Sequence, residues 1–111
     1  MAGALCGLKI LDFTTRLPGP YATMYMADMG ADVLRIVSAS RIDPMDHIPP
    51  IIPEIKLSAA SAQLGRNKKV MVLNLKDERA VRIIHQLLSE YDIVIEQFRP
   101  GVMAKLKLDY K

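Results

Sequence analysis

Apolar and polar positions fall into two periods along this chain. Leu8, Ile10, Leu11 and Phe13 make a run of strand length, Pro18, Gly19 and Pro20 interrupt it, and a helix-length apolar segment continues to Met29. Pro20 suits the first helical position, where its missing N–H would have had no partner, and Gly30 suits the position past the end, where φ > 0 is often needed. The helix body, YATMYMADM, has Asp28 as its only charge, which predicts burial on several sides. Ala31 to Ile36 reads as a second strand. Two strands joined through one helix pair in parallel with a right-handed crossover.

From Val37 to Arg66 the pattern dissolves. Pro44, Pro49, Pro50 and Pro53 block both helix and central strand there, so a long functional or mobile loop is expected. Ile48, Ile51 and Ile52 predict that this loop packs on something, a second chain included. Asp43, Asp46 and His47 read as a solvated cluster rather than as metal ligands.

Regular pattern resumes at Asn67. Val70 to Leu75 is a β-branched strand, Asp77 is an N-cap, and Ala80, Ile84, Leu87 and Tyr91 line one face of an amphipathic helix with His85 on its polar flank. Asp92 to Glu96 gives a further strand, QFRPG a turn, and Val102, Met103 and Leu106 a helical turn. The order βαβ, long loop, βαβ, short helix predicts an α/β fold built on a parallel sheet. Its few helices leave part of that sheet bare unless another polypeptide covers it. Ligands of such sheets collect beyond the carboxyl ends of the strands, which places the Thr14 to Gly19 turn and the residues after Ile36 at the rim of a site.

A length of 111 residues, 50% hydrophobic and 24% charged, bounds the chain to one domain with a modest core. A net charge of +3 from dispersed basic residues, with 5% aromatics and no Trp, argues against nucleic acid. Cys6 alone excludes an internal disulfide and fits a reducing compartment; beside a strand it reads as a small buried filler rather than a nucleophile. There is no leader pattern and no apolar run of about 18 residues. The expectation is a soluble, cytoplasmic protein with no membrane partner.

The segments GLKILDFTTRLPGPYATMYMADMGADVLRI, GRNKKVMVLNLKD and DIVIEQFRPGVMAKLKL, in that order, closely resemble the N-terminal part of the class III coenzyme A transferases of CaiB/BaiF type. That family includes formyl-CoA transferase, carnitine CoA-transferase and α-methylacyl-CoA racemase. The resemblance implies that residues 1–111 form a single Rossmann-like N-terminal domain, incomplete relative to the full family domain, with a Pro-rich loop at about 38–66. It further implies a homodimer and a CoA thioester as ligand, with no permanently bound cofactor and no metal. Transferases of the family work through an aspartate, and racemases through a histidine and an aspartate. Those groups are expected beyond Lys111, so no catalytic residue is assigned here.

Carried over position by position, the resemblance implies CoA contacts at Leu17 and Pro18 in the first turn. It places the nucleotide end of CoA at Leu73, Asn74, Leu75 and Lys76, and further contacts at Gln97, Phe98, Arg99 and Lys105. Ser38 stands where an arginine is common, Asn74 where an aspartate is usual, and Lys105 offers charge without an arginine's bidentate fork. Lys76, Arg99 and Lys105 suit the phosphates of CoA and also read as ordinary solvated charges at element ends. Arg66, Lys68 and Lys69 read as structural charges, and Arg16 enters the crevice or pairs with Asp12 or Asp28. The expected function is the CoA-binding portion of a transferase or 2-methylacyl-CoA racemase, inactive alone. The alternative is a free-standing oligomeric binding or assembly module that kept the fold without catalysis.

Overall fold

A computed structural model describes residues 3–110. Strand β1 (Lys9–Asp12) leads through helix α1 (Pro18–Asp28) to β2 (Asp32–Val37). After the long connection come β5 (Lys68–Val72), α3 (Glu78–Leu88), β6 (Ile93–Ile95) and the short α4 (Val102–Lys105). These four strands form one sheet in the order β5-β2-β1-β6, every neighbour parallel. The chain therefore starts in the middle, builds outward through β2 to β5, and returns to the other flank of β1 with β6. The strand order reverses between β1 and β6, the place where open parallel sheets leave a crevice.

Register and the two-residue period of the strands divide the core into two layers. Ile10 lies opposite Val33, and both meet Ala27 of α1 and Ala31 on one face. Leu11, Phe13, Leu34 and Ile36 point to the other face, where Ile84 of α3 and Leu108 close on them. Helices thus cover both faces of an α/β sheet. Val70 and Val72 of β5 stay 57% exposed, so part of the sheet is bare, as the shortage of helices predicts.

The first helix starts earlier than its prolines indicate. Pro18 takes the first helical position and Pro20 the third, both among the backbone groups that have no intrahelical partner. Gly30 has φ +103 past the helix end, as expected. The helix is not buried on several sides: Pro20, Thr23, Met24 and Ala27 face the core, while Tyr21 and Tyr25 are about half exposed and pack edge to face at 4.9 Å between centroids. A tyrosine counts as apolar in a periodicity but keeps its hydroxyl wet; here the two hydroxyls lie 2.8 Å apart.

The proline-rich stretch holds more structure than its sequence indicates. It contains a 3-10 turn (Pro44–His47), a small antiparallel pair of β3 (Ile51–Ile52) and β4 (Leu57–Ser58), and helix α2 (Ala59–Leu64). Asp43 is buried and not solvated: it accepts from the backbone N–H groups of Arg16 and Met45 and from the Arg35 guanidinium at 2.8 Å. Ser61 likewise donates to Asp46. Among the described residues no group of His, Cys, Asp and Glu is placed to hold a metal. Cys6 is exposed, in a turn before β1, rather than a buried filler. Among the described residues no helix is long and apolar enough to cross a membrane.

Candidate functional site

The floor of the ligand side is a buried polar knot at the end of β1. Asp12, fully buried, accepts from the backbone N–H and the hydroxyl of Thr14 and, at 2.6 Å, from Thr23 Oγ1 of α1. Lys68 reaches in from β5, with Nζ 3.7 Å from Asp12 Oδ2 and donating to Thr23 Oγ1 at 2.7 Å and to the Pro20 carbonyl at 3.0 Å. Burial pushes the Lys68 ammonium below its ordinary pKa, and the Asp12 charge opposes that shift. The knot ties the outer strand β5, the central strand β1 and the first turn of α1 into one unit. It holds the turn carrying Leu17 and Pro18, both exposed, in a fixed position.

At the reversal of strand order, the residues after β1 and β6 meet. Gln97 donates from its amide to the Thr15 carbonyl at 2.6 Å. Glu96 accepts from the Phe98 backbone N–H at 2.7 Å, and Phe98 packs against the core layer under α3. Gln97 therefore uses one of its two amide N–H groups to latch the two strand ends together, and Phe98 anchors the turn.

A second set of groups surrounds an open groove of about 730 Å³ between α3 and α4. β5 ends at Val72, earlier than its β-branched run indicates, so Leu73 to Lys76 form the connection into α3. In it Asn74 Oδ1 accepts from the Lys76 N–H at 3.1 Å, and Asp77 caps α3 through the Arg79 N–H at 2.9 Å. The Arg79 guanidinium on Asp77 holds that carboxyl down at about 2. Leu75, Val81, Val102 and Leu106 give the groove an apolar floor, and Lys76, Arg82, Lys105 and Lys107 give it a cationic rim. Such a surface suits a flat apolar ring carrying phosphates.

The ten positions singled out in the sequence thus separate by location. Leu75, Lys76 and Lys105 line the groove together. Leu17 lines a smaller hollow of about 150 Å³ beside Tyr21 and Met45. Leu73 and Phe98 pack on the core under α3, Asn74 shapes a turn, and Gln97 bridges strand ends. Arg99 follows β6, accepts at its carbonyl the N–H of Val102, and is not among the groove's lining residues. Arg16 is exposed, and its backbone N–H meets Asp43 rather than its side chain meeting Asp12 or Asp28. Arg66 and Lys69 pair with Asp28 and Asp32, as structural charges. Sequence reasoning missed Asp12, Thr23 and Lys68 as one cluster, and Arg82 and Lys107 as groove residues. A charge closing an apolar strand was the signal for the first; the others look like any solvated lysine or arginine.

Comparison with known proteins gives a consistent result. The sequence model described as CoA-transferase family III matches residues 5–111. Succinyl-CoA:glutarate CoA-transferase of Mus musculus is 34% identical over 105 residues, covering 95% of this chain and 24% of that protein. Alpha-methylacyl-CoA racemase of Homo sapiens is 34% identical over 106 residues, covering 95% of this chain and 23% of its own length. A crystal structure of a CaiB/BaiF family protein from Brucella suis superposes with a TM-score of 0.89 at 27% identity, over 99% of this chain and 30% of that one. The chain spans about a quarter of the length of these curated relatives.

Proposed function

The chain belongs to CoA-transferase family III, and from that membership we propose that residues 1–111 form a single Rossmann-like, N-terminal CoA-binding portion of a class III CoA-transferase or 2-methylacyl-CoA racemase. The observation that carries this reading is that Lys76 and Lys105, far apart in sequence, line one apolar-floored groove on segments following β5 and β6. Coenzyme A or an acyl-CoA is the ligand, and its nucleotide end lies over Leu75 between the two ammonium groups. Leu73 and Phe98 anchor the segments that lead to the groove, Asn74 shapes the turn before Lys76, and Gln97 latches the strand ends at the crevice. Leu17, Pro18 and Arg99 stand where the remainder of the carrier passes the crevice between β1 and β6.

The groups that perform acyl transfer or proton exchange lie outside these residues. In support, Asp12 and Asp43 at the ligand side are already committed, to Thr14, Thr23 and Lys68 and to Arg16, Arg35 and Met45. The chain by itself turns over no acyl-CoA. Calorimetric titration with CoA tests the binding half: Lys76→Ala with Lys105→Ala weakens it by about tenfold or more, as expected for charge-assisted contacts. An absence of heat at millimolar CoA overturns the reading.

A second reading, an oligomeric binding or assembly module without catalysis, is favoured by the exposure of Val70, Val72, Tyr21, Tyr25 and Leu17. Exposed apolar surface of this kind is buried by association, in the first instance with a second copy. Analytical ultracentrifugation separates the two: a monomer at high concentration removes the module reading.

A further inference from the structure

Some of the cations that form no ion pair among the described residues gather on one surface. Among the described residues Lys9, Arg35, Arg66, Lys68, Lys69 and Arg79 each form an ion pair with a carboxylate. Of those that pair with no described carboxylate, Arg16, Arg41, Lys56 and Arg99 lie off the groove, whereas Lys76, Arg82, Lys105 and Lys107 line it together, with Glu78 the one carboxylate in the described lining. The nearby Asp77 feels the Arg82 charge but is bonded to Arg79. Concentrating unpaired like charges on one surface is unfavourable unless an anion joins them.

Lys107 is held there by its backbone. It has φ +58, a left-handed conformation in which glycine is the usual residue after a helix end. Its N–H donates to the Ala104 carbonyl, the following N–H of Leu108 donates to Met103, and its own carbonyl lies 2.9 Å from His85 Nε2 of α3. Leu108 is buried and pins the reversal. A lysine thus occupies a glycine position, at a cost in backbone strain, with its carbonyl tied to the helix that carries Arg82.

We propose that Arg82 and Lys107 are specificity-determining residues that make the groove select a ligand ending in a phosphomonoester, so that the chain distinguishes CoA from 3′-dephospho-CoA. A phosphomonoester is close to a dianion at neutral pH and offers three acceptor oxygens, whereas each phosphorus of the pyrophosphate carries about one charge. An arginine fork and a lysine on facing segments match the more charged group. This assignment rests on CoA being the ligand.

The test is calorimetry on the full chain with CoA, 3′-dephospho-CoA and adenosine 3′,5′-bisphosphate. The native chain prefers CoA over the dephospho form by about tenfold or more. Arg82→Ala with Lys107→Gln, both exposed, brings the two ligands to within about threefold, while Lys69→Gln, a charge change elsewhere, leaves the preference intact. An unchanged preference in the double variant, or equal binding of both carriers to the native chain, overturns the proposal and leaves the CoA reading standing. Binding of the bisphosphate without CoA overturns the CoA reading and leaves the groove's phosphate selectivity standing, provided the double variant abolishes it. No binding of any of the three overturns both.

Discussion

Lys68 is where most of the buried polar chemistry converges, and its removal has a definite consequence. Its ammonium lies between Asp12, Thr23 and the Pro20 carbonyl with no exposed side-chain surface. Lys68→Met leaves the Asp12 carboxylate enclosed without its countercharge, so urea unfolding is expected to show a loss of about 3–5 kcal/mol. The double change with Asp12→Asn recovers part of it, because the buried charge is gone. Asp77 gives a pH dependence of known sign. Its folded value, about 2, lies below its ordinary 3.8 because it is bonded to Arg79. Its contribution is therefore complete above the ordinary value and lost as pH falls toward the folded one. Amide exchange at the first turn of α3 is expected to quicken between those two pH values, and Asp77→Ala to remove the difference.

At the scale of elements, the turn between β1 and α1 depends on Gly19. A Cβ added there would stand 2.2 Å from Thr14 Cβ, closer than real atoms approach, so Gly19→Ala must displace either the helix or the strand end. The expected loss is about 1–3 kcal/mol, the usual cost of forced overpacking, read from thermal unfolding. Chemical shifts should change at Thr14 and Leu17 more than in α3. The elements themselves were legible to differing degrees. Helix α3 was readable to the residue at its start, because its cap at Asp77 and its buried Ala80 and Ile84 are set by local spacing, but it ends at Leu88, so Tyr91, expected on the same face, lies beyond it. Helix α1 was placed well but its outer face was misjudged, since tyrosine hydroxyls reach water from a position that a period counts as core. The β3–β4 pair and α2 were not legible at all. Prolines argued against regular structure, and short elements held by Asp43 and Asp46 leave little periodic signal.

For the whole molecule, the sheet order β5-β2-β1-β6 decides where function can sit, because it carries every carboxyl strand end to one side and reverses direction between β1 and β6. It also leaves Val70 and Val72 on an outer strand without cover. Replacing both by lysine is expected to change the stability of the isolated chain by less than about 0.5 kcal/mol, as for other exposed sites. The same change is expected to abolish concentration-dependent association in sedimentation. The sequence by itself determined the α/β class, the parallel strands and the family, since those follow from local periods, turn residues and ordered motifs that survive without any knowledge of contacts. The tertiary structure alone decided which charges are spent and which are free. Lys68 and Lys76 are indistinguishable as letters, yet register sends one under α1 to meet Asp12 and leaves the other beside Arg82, Lys105 and Lys107. Partnership between side chains is fixed by distances across the sheet, and a one-dimensional pattern carries no such distances.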